Sequence, residues 1–156
     1  HEELAMGAIA SGNTIIYNDD IINSFHLTDS LIQQVVQSEK KELKRRELLY
    51  RHDKPPVSLE NKTVILVDDG IATGATMLAA LKITDKQKAL NTIIATPVAA
   101  YSTCEEFVDK VDNFVCLLQP HDFYAVGLWY EDFNQTEDDE VAALLIKANQ
   151  AAIWKH

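Results

Sequence analysis

A chain of 156 residues with 14 Lys and Arg against 24 Asp and Glu carries a formal charge of −10, and 47% of it is hydrophobic. The length suits one domain, able to bury about two thirds of its unfolded surface with no disulfide or metal staple, and the ordinary composition excludes disordered and fibrous classes. Net acidity argues against a general binder of nucleic acid or anionic membrane, since both need a basic surface.

Residues 4–10 (LAMGAIA) and 14–17 (TIIY) flank the turn triplet Ser11-Gly12-Asn13 and predict a β-hairpin. Thr28 then offers an N-cap and Asp29 a first-turn acid. Leu31, Ile32, Val35 and Val36 recur at helical spacing and predict a helix to about Tyr50, ended by Lys54-Pro55-Pro56. Its apolar stripe thins beyond Ser38, where cations gather. From Glu39 to Lys54, seven cations against four acids give a net +3, which leaves −13 for the rest. Such an island can hold a small polyanion. The competing reading is a solvated helix face with charge pairs such as Glu42–Arg46, four apart and in the favourable order.

Thr63–Val67 (TVILV) is a continuous run, β-branched but for Leu66, the pattern of a strand buried on both faces. Two acids and a Gly/Thr loop follow, then a helix over Met77–Lys82. Thr92–Val98 (TIIATPV) reads as a second buried strand, and Ser102 with Glu105 as a capping box for a helix to about Val111. Phe114–Leu118 (FVCLL) is a third strand. Residues 121–136 are rich in aromatic and polar side chains, with Trp129 expected to serve as core, and Thr136 caps a last helix from about Glu137 to Trp154. Strands alternating with helices imply a mainly parallel sheet in a doubly wound α/β domain. Cys104 and Cys116 lie in no CxxC pair and beside no histidine cluster, so neither a disulfide framework nor a zinc site is expected, and a reducing, cytoplasmic home fits. No stretch reaches 18 apolar residues, so no membrane helix is expected.

The chemistry concentrates in Val64-Ile-Leu-Val-Asp68-Asp69-Gly70-Ile71-Ala72-Thr73-Gly74-Ala75-Thr76. A strand delivers two adjacent carboxylates to its C-terminal end, where open α/β sheets bind ligands. A loop of small residues then turns into a helix, whose N-terminal N–H groups form an anion site to which Thr73 and Thr76 can add hydroxyls. Phosphate beside carboxylates is repulsive unless the acids contact something else; sugar hydroxyls or a hydrated Mg²⁺ are the suitable partners. The residues thus describe a site for a phosphorylated sugar. The bland alternative is a strand-to-helix turn with one Asp as a cap. No P-loop Gly-x-x-x-x-Gly-Lys-Ser/Thr and no GxGxxG is present.

This segment resembles the phosphoribosyl-pyrophosphate (PRPP) motif of type I phosphoribosyltransferases: a hydrophobic strand, an acid pair, then ATGAT. The likeness extends through HEELAMGAIASG, the charged helix, TPVAAYSTCEEF and AVGLWYEDF, in the order found in bacterial phosphoribosyltransferases of unassigned acceptor. The resemblance implies a sheet with a hairpin/helix insertion and a small hood, and Mg²⁺-dependent transfer of the phosphoribosyl group from PRPP to a small-molecule acceptor, usually a nitrogen nucleophile. It implies that Asp68 and Asp69 bind the ribose 2′ and 3′ hydroxyls and that Gly70, Ile71, Ala72, Thr73, Gly74, Ala75 and Thr76 hold the 5′-phosphate. Tyr124 and Val126 would face the acceptor from the hood, with Glu131 or Asp132 near the metal. Mg²⁺ would enter with the substrate, against Asp68, Asp69 or Glu131. Lys44, Arg45 and Arg51 are candidates for pyrophosphate contacts or a lid.

Three departures qualify the likeness. Ala72 stands where 6-oxopurine enzymes carry an aspartate, and no lysine follows Thr92–Val98; both argue against a hypoxanthine or guanine acceptor. The family's pyrophosphate loop, on a first strand, is expected upstream of His1, so the 156 residues read as a single domain lacking its first βαβ unit, with a hydrophobic edge left on the Thr63–Val67 strand. A module that senses PRPP or a nucleotide without turnover is the alternative function. No nucleic-acid or membrane partner is expected, and association with further copies stays open.

Overall fold

A computed structural model describes residues 7–10, 14–17, 19–51 and 55–152. Three strands, β3 (Thr63–Val67), β4 (Asn91–Val98) and β5 (Asn113–Leu118), form a parallel sheet in that order. The register sets Leu66 beside Ile94 and Ile94 beside Phe114. Helices α3 (Ala75–Lys86) and α4 (Tyr101–Val108) make the crossovers. Because both connections step the same way across the sheet, right-handed crossovers place both helices on one face. There Met77 and Leu81 of α3 and Cys104 and Phe107 of α4 close over Ile94, with Leu66, Phe114 and Cys116 packed alongside. Phe107 and Ile94 are fully buried, and the Phe107 and Phe114 rings lie 6.4 Å apart.

The opposite face corrects one expectation. β3 is not buried on both sides: Ile65 is 60% and Val67 74% exposed, and the register carries that side on to Leu117 at 77%. Its β-branched run therefore reflects the preference of such side chains for a pleated strand, with one-sided burial among the described residues. β3 also forms an edge of this sheet.

A hairpin of β1 (Gly7–Ala10) and β2 (Thr14–Tyr17) pairs antiparallel, Ala8 opposite Ile16, and lies on the outer side of α3. Ala8 packs there against Ala75 and Ala79, small residues that let the elements approach closely. The expected turn Ser11–Asn13 lies outside the described residues. A short helix α1 (Asp19–Ser24), unanticipated from sequence, precedes α2 (Asp29–Arg51). Thr28 caps α2 as predicted, its Oγ1 accepting from the Leu31 N–H at 3.4 Å. Only Val36 of α2 is buried; the half beyond Ser38 buries no residue, as its thinning stripe implied, whereas Leu31 of the apolar first half is 44% exposed.

Two predicted caps do not form. No side chain caps α4: Ala100 is its N-cap, and Ser102 and Glu105 lie within the helix. The start is fixed by loop backbone instead, the Ala100 N–H donating to Ile71 O and the Tyr101 N–H to Pro120 O, each at 3.0 Å. Helix α5 (Asp138–Ala152) begins past Thr136, with the Val141 N–H donating to Glu137 O at 3.0 Å. Its Asp138 is instead held by α2, accepting from Tyr50 Oη at 2.5 Å and pairing with Arg45 at 2.7 Å. Both cysteines are free, and burial together with the neighbouring Cys116 pushes the Cys104 thiol up to about 11. Among the described residues no helix is long and apolar enough to cross a membrane.

Candidate functional site

β3 ends where its carboxylates begin. Asp68, half-buried, and Asp69, exposed, sit at the C-terminal end of the parallel sheet, the side on which such sheets bind ligands. The Asp69 N–H donates to Asp68 Oδ1 at 3.0 Å. Burial pushes the Asp68 carboxyl above the ordinary carboxylate range; the Asp69 charge adds to that and the Asp69 N–H opposes it. Two acids are thus held side by side at a cost in desolvation and repulsion, which a partner donating to them would relieve.

The loop after them is fastened at each step. Ile71, 2% exposed, extends the sheet: its N–H donates to Val98 O, and its carbonyl accepts from Ala100, both at 3.0 Å. Thr103 of α4 donates its hydroxyl to Ala72 O at 2.6 Å. Gly74 is the N-cap of α3 with φ +75° and no side-chain cap, so the first-turn N–H groups of α3 keep their donor capacity for an anion. A Cβ on Gly74 would lie 2.5 Å from Phe107 Cε2, so both the backbone angle and the packing require glycine. Asp68, residues 70–77 and Val126 enclose a cavity of about 160 Å³.

The segment after β5 closes one side of this cavity. A 3-10 turn, Val126–Trp129, presses Val126 onto Gly70, where a Cβ would sit 2.4 Å from Val126 Cγ1. Tyr130 donates its hydroxyl to Asp69 O at 2.6 Å, while its ring lies 5.1 Å from that of Phe133. Burial and the charges of Asp69 and Asp68 push the Tyr130 phenol up. Trp129 is not the core residue its hydrophobic bulk suggested; it is 40% exposed and stacks on Phe123 at 6.5 Å.

Of the residues singled out from sequence, Asp68, Gly70, Ile71, Ala72, Thr73, Gly74, Ala75, Thr76 and Val126 share the one cavity. Asp69 stands at its rim beside Asp68. Tyr124 projects into solvent at 82% exposure, and Glu131 and Asp132 are exposed, with Asp132 Oδ1 accepting from Asn134 Nδ2 at 2.6 Å. Among the described residues no three His, Cys, Asp or Glu side chains converge to hold a metal, so Asp68, Asp69 and Glu131 make no such trio. On α2, Lys44 is exposed, Arg45 bridges Glu42 and Asp138, and Arg51 faces Glu47 at 3.8 Å. Glu42 also takes Arg46 at 2.7 Å, the pair predicted from spacing, and the two guanidiniums hold its carboxyl down at about 2. Sequence reasoning missed Thr103, Phe107 and Tyr130. Thr103 and Phe107 read as ordinary helix residues, and nothing in the spacing of the aromatic stretch marks Tyr130 as the one that reaches Asp69.

The contact between Gly70 and Val126 predicts a compensating pair. Gly70→Ala is expected to destabilise by about 1–3 kcal/mol, the usual range for overpacking, and Val126→Ala introduced with it should return most of that loss. Denaturant midpoints of the two single variants and the double variant check this.

The phosphoribosyl transferase domain family matches residues 9–132 of this sequence, and the chain belongs to that family; its fold is the α/β fold of type I phosphoribosyltransferases. Among its relatives are two Mycobacterium tuberculosis proteins named "Putative phosphoribosyl transferase", MT0597 of strain CDC 1551 and Rv0571c of strain H37Rv. Each is 36% identical over 148 residues, covering 95% of this chain. The chain spans 33% of the length of each. A crystal structure of TT1426 from Thermus thermophilus is similar with a TM-score of 0.69 and 31% identity, over 93% of this chain and 68% of that one.

Proposed function

We propose that the protein transfers the 5-phosphoribosyl group from PRPP to a small-molecule acceptor, with release of pyrophosphate. The observation that carries this reading is the cavity that a half-buried carboxylate shares with an uncapped helix N-terminus and a loop of small residues. A sugar phosphate satisfies both ends: its phosphate takes the N–H groups of α3 and the hydroxyls of Thr73 and Thr76, and its vicinal hydroxyls donate to Asp68 and Asp69. Free phosphate would satisfy only the first.

In the transfer, the bond from the anomeric carbon to the diphosphate oxygen breaks as a bond to the acceptor forms, and positive charge develops on the ribose. Asp68 and Asp69, fixed to the ring hydroxyls, hold the ribose in one orientation and set negative charge beside it. Tight anchoring of the 5′-phosphate at residues 70–76 supplies binding energy remote from the reacting bond. The donor set fits a hydrated Mg²⁺ carried by the diphosphate, because Mg²⁺ is commonly held by one or two carboxylates plus substrate oxygens and water. When bound, the ion neutralises charge on the departing group. The acceptor is held next to Val126, on the hood side of the ribose. Ala72 leaves no carboxylate there for a 6-oxopurine, so hypoxanthine and guanine are not the expected acceptors. The free cysteines accord with action in a reducing cytoplasm.

Pyrophosphate release from PRPP and Mg²⁺, followed over a panel of nitrogenous bases and other amines, tests the reading. Release with one acceptor class and not with hypoxanthine or guanine is the expected result. PRPP binding without release for any acceptor would favour the sensing module instead.

A further inference from the structure

We infer that Tyr130 is a positioning residue for ribose binding, clamping the hood to the acid pair through the Asp69 carbonyl. This rests on the reading of Asp68 and Asp69 as the groups that take the ribose hydroxyls. The two carboxylates are adjacent in sequence and both negative, so in the free protein they repel. The residue after them is Gly70, the most permissive backbone position available, and the strand has ended at Val67. The ladder to β4 ends at Val67, so the placement of Asp69 depends on contacts from outside the strand.

Three contacts hold Asp69 and the residue after it. The Asp69 N–H is held by Asp68 Oδ1, Gly70 is covered by Val126, and the Asp69 carbonyl accepts from Tyr130 Oη at 2.6 Å. The first is local. The other two come from one segment 56 to 61 positions further along the chain, and of these only the Tyr130 bond acts on Asp69 itself. Its ring is seated independently on Phe133, so the hydroxyl can be removed with little change in packing. The clamp also makes the hood and the ribose subsite one unit, which gives acceptor-side contacts a physical route to the acid pair.

The test uses Tyr130→Phe in the full 156-residue chain, with two probes titrated in the presence of Mg²⁺. Ribose 5-phosphate engages both the acid pair and the phosphate loop, whereas inorganic phosphate engages the loop alone. Loss of one hydrogen bond predicts a fivefold to tenfold weaker affinity for ribose 5-phosphate, roughly the range such bonds carry. Affinity for inorganic phosphate should stay unchanged, and the melting temperature should fall by no more than the loss of one hydrogen bond carries. Equal weakening for both probes, or a lowered melting temperature with ribose 5-phosphate affinity unchanged, would show a purely structural role and overturn the inference. Unchanged affinity for both would overturn it as well. Failure of the wild-type chain to bind ribose 5-phosphate would instead overturn the functional reading and this inference with it.

Discussion

Asp68→Asn combined with Asp69→Asn is expected to weaken PRPP binding at least 100-fold while the protein remains folded. Hydrogen bonds to ionised groups contribute about 1.5–3 kcal/mol each, and the pair would lose two such interactions; at about 1.4 kcal/mol per tenfold, a hundredfold loss is the lower end. Stability should move the other way. Burial and the Asp69 charge hold the Asp68 carboxyl above its ordinary value, so the folded state binds that proton more tightly than the unfolded state. Its ionisation therefore costs stability as pH rises through the raised folded value, and an asparagine there avoids the cost. The double variant should melt at or above the wild-type temperature at neutral pH.

Ligand affinity follows the same titration with the opposite benefit. Sugar hydroxyls and Mg²⁺ need the ionised acid, so wild-type affinity for PRPP should fall as pH drops through the raised Asp68 value, above the ordinary 3.8. In Asp68→Asn that step should vanish. Calorimetric titrations of both proteins over the acid range check the sign.

Gly74→Ala is the second large effect expected. A non-glycine residue at φ +75° costs about 1–3 kcal/mol when its surroundings hold it there, and the new Cβ would meet the Phe107 ring at 2.5 Å. Phe107 is fully buried between α4 and the sheet and cannot yield cheaply. Together these predict a loss of about 2–5 kcal/mol, a large share of a small domain's stability. If the helix start shifts to accommodate the methyl group, the uncapped N–H groups shift with it and phosphate affinity is lost. Denaturant unfolding and a phosphate titration on the same variant separate the two effects.

How much of this was legible in the sequence varies with the physics of each part. The strands β3, β4 and β5 and the long α2 appear within a residue or so of their predicted bounds, because β-branched runs and helical spacing are local signals. The loop proposed to hold phosphate was legible for the same reason: acid pair, small residues and helix start are contiguous. What failed depended on tertiary context. The helix starts assigned to Ser102 and Thr136 are fixed by the loops around Ile71 and Pro120 and by the backbone of Glu137, and no local pattern reports those contacts. β3 read as buried on both faces because its composition records strand preference, not the side on which α3 and α4 pack. Tyr130 and Thr103 act across 61 and 31 positions of chain, and only the folded structure brings them to Asp69 and Ala72. The cationic stretch carried two readings from the start. In the structure, Arg45, Arg46 and Arg51 sit within ion pairs of α2 and α5.

The most direct measurement is an amide chemical-shift titration of the ¹⁵N-labelled chain with PRPP in Mg²⁺. The predicted result is a set of saturating shifts concentrated on Asp68–Thr76, with Val126 and Tyr130 following at the same midpoint. Shifts centred on Lys40–Arg51 of α2, with Asp68–Thr76 unmoved, would contradict the assignment of the site.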